Sequence, residues 1–414
     1  MKLELGFGNG TQSAEVPDRN LKQILKLSDV PETGDEQALI HQALEHPIGT
    51  GRLKDLCARG EKIAIVTSDL TRPMPSWKVL PALLDELNQA GVPDSDIVLV
   101  FALGSHRPMR EAEMQHVMGE TYGRIACVNS SECGFRNLGT TTRGTPVIIS
   151  EAVAEADRII CLGNVEYHYF AGYSGGAKAV MPGCSVREAI ACNHRFMTDP
   201  GAYAGHLDGN PVREDIEEAG RMAGIDFILN VVVSPRKRIL HASAGDPILA
   251  HRDACRFLDS IYQVPIRERA DIVLVSQGGS PKDLNLYQTQ KALANAGHAV
   301  KPGGIIILAG SCREGFGESH FEDWMRHKSP SLMVREIQEH FILGGHKAAA
   351  IAQQVLKGEI DLVSEMDPAI VRETCLVPYA SVQEALDHAL NEKGPDASVI
   401  VMPYGGSTLP VLKG

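Results

Sequence analysis

Short apolar runs, each followed by a polar stretch punctuated by glycine, recur along the chain. Residues 62–67 (KIAIVT) form a continuous apolar run of strand length, which predicts a strand covered on both faces. A helix-period pattern follows over 76–90, and then a second buried run at 96–103 (DIVLVFAL). Strand, helix and strand in this order predict parallel strands joined by a crossover helix. Residues 158–162 (RIICL) add a short buried strand, and 227–233 with 239–242 suit an antiparallel pair. A second block begins after Tyr262-Gln263-Val264-Pro265, with strands at 271–276 (DIVLVS) and 304–308 joined by a helix over 284–296. A late strand at 398–402 precedes a tail rich in glycine and proline.

This rhythm predicts an α/β protein of two Rossmann-like domains, 1–267 and 268–414, with the active site in the cleft between them. The last residues are free to return to the first domain. Each unusual polar cluster, at 67–73, 104–108, 163–183 and 277–291, directly follows one of these strands. In open α/β sheets ligands bind outside the carboxyl ends of strands, so the clusters read as parts of one or two sites.

Composition narrows the function. The net charge of -12 argues against general nucleic-acid binding. No apolar run approaches the roughly 20 residues of a membrane span, and the first residues lack the apolar core of a secretion signal. Nine scattered cysteines without a C-x-x-C pair suit reduced thiols in a cytoplasm, not a disulfide framework or a structural zinc site.

The clusters have both chemical and bland readings. Asp69 in the segment 67–73 can accept hydrogen bonds from sugar hydroxyls, and Arg72 can grip a carboxylate or phosphate. The same residues also suit a helix cap with a surface arginine. His106 in Gly104-Ser105-His106-Arg107-Pro108 suits a general base or a structural histidine. In 163–194 (GNVEYHYFAGYSGGAKAVMPGCSVREAIACNH), His168 follows a strand, and glycines surround Ser174 before Lys178. Such glycines let backbone N–H groups approach an anion, while the lysine adds charge or carries a covalent cofactor. A Gly-rich turn with a solvent-facing lysine is the alternative. The spacing is not that of a phosphate-binding loop, and no G-x-G-x-x-G follows the first strand, which weakens an NAD site. His194 ends a helix-like run at 186–193 and suits a metal ligand or a helix cap. On the helix after 271–276, Tyr287, Gln288 and Lys291 stand at i, i+3 and i+4 spacings, a substrate contact or a solvated face.

Together these segments resemble the nickel-dependent lactate racemase family. The matching pieces are DLTRP at 69–73, GSHR at 104–107, EYHYFAGYSGGAKAVMPG at 166–183, NH at 193–194 and YQTQK at 287–291. They come in the family's order and spacing, and the resemblance covers most of the chain. It implies a racemase or epimerase of a 2-hydroxy acid, lactate or a longer or more polar one. It also implies a nickel-pincer nucleotide, nickel pyridinium-3,5-bisthiocarboxylic acid mononucleotide, tethered to Lys178 by a thioamide. His194 would be the single protein ligand to nickel, with His106 and His168 as acid/bases around hydride transfer. Arg72 and Lys291 would hold the substrate carboxylate beside Tyr287 and Gln288. Asp69 and the loop Ser174, Gly175, Gly176 and Ala177 would contact the nucleotide. The implied partners are the substrate and cofactor-maturation enzymes, and a homo-oligomer is compatible. Tyr169 and the region of His346 would leave room for a longer acid, or reflect drift on the pocket rim. Competing expectations are an NAD-type 2-hydroxy-acid oxidoreductase, a non-catalytic nucleotide or carboxylate binder, and a zinc hydrolase built on the three histidines.

Overall fold

A computed structural model of the chain describes residues 1–26, 34–234 and 236–413. It divides into two compact units, Val30–Ser260, and Met1–Asp29 together with Ile261–Gly414. Each is built on a six-stranded sheet.

In the unit Val30–Ser260 the strands lie in the order Ile239–Gly245, Ile225–Val233, Arg158–Asn164, Ile63–Ser68, Ile97–Ala102, Ala126–Asn129. All pair in parallel except Ile239–Gly245, an antiparallel edge strand. The chain lays down Ile63–Ser68 first, builds outward on one side, then crosses to build outward on the other. The strand order therefore reverses between Ile63–Ser68 and Arg158–Asn164, which opens a crevice at their carboxyl ends. One face of the sheet is covered by Ile40 and Leu44 of the helix Glu36–Glu45 and by Val79, Leu80, Leu83 and Leu87 of Ser76–Gln89. These positions recur at three- and four-residue spacing, and burying them drives the helix onto the strands. The helix Pro211–Ala223 has sharp ends. Asn210 accepts from the N–H groups of Val212 and Arg213, Pro211 opens the first turn, and Gly224 closes the helix in the left-handed conformation at φ 79°.

The second unit's sheet is wholly parallel, in the order Val377–Tyr379, Glu359–Val363, Val300–Ala309, Ala270–Ser276, Val399–Met402, Leu21–Ile24. Its last strand corrects the expected boundaries. The first 29 residues do not continue into the unit Val30–Ser260. Leu21–Ile24 extends this sheet, and the hairpin of Lys2–Phe7 and Gly10–Glu15 buries Leu5 and Ala14 with Ile272 and Leu274. The tail strand Leu409–Leu412 pairs with Gln263–Ile266, also within this unit. All nine cysteines are free thiols. No helix among the described residues is long and apolar enough to cross a membrane.

Candidate active site

Asp69 is the first residue past the strand Ile63–Ser68. Its Oδ1 accepts from the Thr71 N–H at 3.0 Å and the Thr71 hydroxyl at 2.6 Å, which folds the chain back toward the sheet. Its Oδ2 lies 2.6 Å from Nδ1 of His106, which follows the neighbouring strand. Burial alone would raise the Asp69 pKa, but the bonds from His106 and Thr71 outweigh it and hold the group below its ordinary value. An ionised carboxylate only accepts, so Nδ1 of His106 carries the proton and Nε2 presents a lone pair. Asp69, expected at a nucleotide, is thus committed to His106.

His168 lies beyond the end of Arg158–Asn164, in a two-residue ladder with Gly172. Its Nδ1 accepts from the Ala171 N–H at 3.2 Å, so Nε2 carries the proton of the neutral ring. Burial, with Lys178, His194 and Arg72 nearby, pushes its pKa well below the ordinary value. The two candidate acid/bases therefore differ in the neutral ring, with an acceptor at Nε2 of His106 and a donor at Nε2 of His168.

The loop that leads to Lys178 is held from behind. The guanidinium of Arg213 is fully buried and donates to the carbonyls of Ala171 (3.2 Å), Tyr173 and Gly175 (3.4 Å). Gly175 sits at φ 76°, and a Cβ there would lie 2.7 Å from Oδ1 of Asn230. That same oxygen accepts the Gly176 N–H at 2.8 Å. Ser174 Oγ donates to the Asn164 carbonyl and accepts the Glu166 N–H, while His251 donates to the Ser174 carbonyl at 2.8 Å. The tyrosines of the Tyr167–Tyr173 pair both donate to Asp259. Most of the loop's hydrogen-bonding capacity is spent on its own shape. Ser174 and Gly175 reach the pocket wall, whereas Gly176 is tied to Asn230 and Ala177 packs against Gly220.

Lys178 follows on the short turn Gly176–Ala179. Burial, reinforced by Arg213 and Arg72, drives its pKa well down, which favours the neutral, nucleophilic amine. His194 ends the helix Arg187–His194, with Nδ1 3.0 Å from Oδ1 of Asn193. The Asn193 amide donates to Asp215 (2.7 Å) and to the Val212 carbonyl, which turns its oxygen toward His194. Nδ1 is therefore the protonated nitrogen, and Nε2 offers a lone pair of the kind a metal takes.

One pocket gathers these groups. Asp69, Arg72, His106, His168, Lys178 and His194 all line it, at the carboxyl ends of three adjacent parallel strands. A ligand with acceptor groups fits its wall, because the buried Nδ2 of Asn164 has no hydrogen-bond partner among the described residues. Tyr287, Gln288 and Lys291 stand on the helix Leu286–Ala296 of the other unit, with Gln288 and Lys291 exposed. Nζ of Lys347 lies 4.0 Å from the centroid of the Tyr287 ring and donates to the Tyr287 carbonyl at 2.6 Å. His346 is buried on the helix Gly345–Val355, its pKa pushed down to about 3 by burial and by Lys347. Sequence reasoning missed Asn164, Arg213, Asn230 and Asp215. Only Arg213 left a trace, sharing a helical stripe with Ile216 and Gly220 where a charge is out of place.

Comparison with known proteins identifies the family. Residues 7–205 match the lactate racemase N-terminal domain and residues 266–409 the lactate racemase C-terminal domain. The chain is 32% identical to lactate racemase of Thermoanaerobacterium thermosaccharolyticum, over 98% of each protein. It is 30% identical to lactate racemase of Lactiplantibacillus plantarum, over 97% of this chain and 98% of that one. Its structure resembles that of the T. thermosaccharolyticum lactate racemase apoprotein with a TM-score of 0.89 at 33% identity, covering all of both chains. A Thermotoga maritima protein shares the fold, with a TM-score of 0.62 at 18% identity over 91% of this chain and 97% of that one. With family matches in both halves and relatives spanning nearly its whole length, the chain belongs to the lactate racemase family, a family of isomerases.

Proposed function

We propose that this chain racemises or epimerises a 2-hydroxy acid, lactate first among the candidates, with a nickel-pincer nucleotide carried on Lys178. The observation that supports this best is the convergence of His106, His168, Lys178 and His194, with Arg72, on one pocket of one unit. When bound, the cofactor supplies a nickel-activated pyridinium ring able to accept and return hydride.

The chain's own residues have distinct tasks. The neutral amine of Lys178 would carry the tether, and Nε2 of His194 would hold the nickel. Asn164 meets an acceptor of the nucleotide. Arg72 holds the substrate carboxylate through its planar fork. His106, oriented by Asp69, takes the hydroxyl proton of one enantiomer at Nε2. His168 would enter this step as the imidazolium once the anionic substrate is bound. It gives its Nε2 proton to the new hydroxyl on the other side and is left neutral, and the roles exchange for the opposite enantiomer. Lys291, Tyr287 and Gln288 are proposed as substrate-binding residues as well. That assignment predicts a raised KM in Lys291→Ala.

The test is expression alongside pincer-cofactor maturation enzymes. Peptide mapping should find an adduct on Lys178, and chiral chromatography should find loss of optical purity of D- or L-lactate or a longer 2-hydroxy acid. His106→Ala and His168→Ala should keep the adduct and lose turnover. An unmodified Lys178, where the same enzymes mature a known family member, would overturn the proposal.

A further inference from the structure

His168 stands on a hairpin too short to hold its own register. Its ladder pairs Tyr167 with Tyr173 and His168 with Gly172, and nothing longer. An isolated two-stranded hairpin is marginal in water. Side chains alternate between the faces of a strand, so Tyr167 and Tyr173 point one way and His168 the other. His168 accordingly lines the pocket, and neither tyrosine does. A slip of one residue would exchange the two faces and turn His168 out of the pocket.

The face away from the pocket is gripped from the helix Leu249–Tyr262. The rings of Tyr167 and Tyr173 lie 5.4 Å apart, tilted by 48°, and their hydroxyls converge on Asp259 of that helix. Tyr167 donates to Oδ1 at 2.9 Å, and the Tyr173 hydroxyl lies 2.8 Å from each carboxylate oxygen. His251, Cys255 and Asp259 follow at four-residue steps, which puts them on one side of the helix. From that side His251 donates to the Ser174 carbonyl at 2.8 Å, just past the hairpin. Arg213 and Asn210 hold the carbonyls of Phe170, Ala171 and Tyr173, on the turn and the returning strand. Asp259 adds a hold on Tyr167, the residue before His168.

We propose that Asp259 is a positioning residue for His168. By clamping both tyrosine hydroxyls it fixes the register of the hairpin and keeps the His168 imidazole in the pocket. This rests on the acid/base role proposed above for His168. Asp259 is not part of the pocket wall and acts through the two tyrosines. Both tyrosines reach Oδ1, so an asparagine in its place keeps the shared acceptor and an alanine does not.

The test reads the His168 ring in the cofactor-free full chain. With ¹⁵N-labelled histidine, long-range ¹⁵N–¹H correlation reports which ring nitrogen carries the proton, and His168→Gln assigns the signal. The wild type should show the proton on Nε2, because Nδ1 accepts from the Ala171 N–H. In Asp259→Ala the His168 signal should broaden or become a mixture of tautomers while that of His106 stays as it was. Asp259→Asn should restore most of it. Tyr167→Phe, which removes one hydroxyl and keeps the ring, should move it part of the way. After maturation, Asp259→Ala should lower kcat about 10- to 100-fold with little change in KM. An unchanged His168 signal in Asp259→Ala would overturn the proposal, as would equal changes at His106 and His168, the mark of general loosening. Should the alanine variant not fold, an unchanged signal in Tyr167→Phe would overturn it instead. A His168 signal that responds while kcat does not would leave the clamp in place and count against the acid/base role of His168.

Discussion

Replacing Arg213 with methionine tests whether the lysine-bearing loop is held by a buried cation. Arg213 is fully buried, and so are Ala171, Tyr173 and Gly175, whose carbonyls it binds. Methionine keeps much of the apolar stem but removes the guanidinium donor. The Ala171 and Gly175 carbonyls still accept from the N–H groups of Tyr173 and Lys178, so the Tyr173 carbonyl is the one left without its donor. Each orphaned buried group costs about 1–3 kcal/mol. Part of that is returned, because the unfavourable desolvation of the guanidinium disappears. The net loss is about 1–3 kcal/mol, a sizeable share of the roughly 5–15 kcal/mol that holds a folded domain. At about 2–4 °C per kcal/mol for a unit of this size, the midpoint should fall by roughly 2–12 °C. The chain's two tryptophans make the measurement specific. Trp77 lies in the unit Val30–Ser260 and Trp324 in the other. In a Trp324→Phe background, fluorescence reports only the unit that carries Arg213. A change below about 0.5 kcal/mol would refute the reasoning, since it would mean the Tyr173 carbonyl finds another donor.

Asp69→Asn should lower kcat about 10- to 100-fold with little change in KM, because the charge-assisted bond that fixes the His106 tautomer is lost. Chiral chromatography of the matured variant measures both constants. In the cofactor-free protein, the lowered pKa of Lys178 means that folding expels a proton which the unfolded chain keeps up to about pH 10. Stability relative to Lys178→Met should therefore rise with pH from the depressed folded value toward about pH 10, as read from urea midpoints. Burial would raise the pKa of Asp271, but its bonds to Ser398 and Lys301 dominate and bring it down to about 2. Its contribution is present above the ordinary carboxylate range and is lost as pH falls through about 2. The stability gap between the wild type and Asp271→Asn should close over that range.

The long apolar runs were legible because a strand buried on both faces leaves no ambiguity. The segment 62–67 appears as Ile63–Ser68, and 271–276 as Ala270–Ser276. Short or alternating strands were not. Leu21–Ile24 has four residues and gains its identity only from Val399–Met402, while Glu359–Val363 hides its character behind two acids. The pocket was readable as clusters at strand ends, since the topology itself brings those ends together. The orienting groups were not readable. Asn193 acts on His194 from the preceding position, but what turns its amide is Asp215, on another helix. Asn230 reaches Gly176 from a strand 54 positions away. Such partners carry no local spacing.

The edge strand Leu21–Ile24 has a consequence for the order of assembly. Asn20, just before it, donates to the Pro395 carbonyl, 375 positions along the chain. At about 5–20 residues per second, ribosomal synthesis of that separation takes roughly 20–75 s. The unit Val30–Ser260 is fully synthesised well before then and can fold while the polypeptide is still growing. The edge strand Leu21–Ile24 must wait, tethered to a finished neighbour, until Val399–Met402 emerges. Until the strands Ala270–Ser276 and Val300–Ala309 are made, Leu5, Ala14 and Val16 have no sheet to cover, so nascent-chain chaperones should find a binding site in that hairpin.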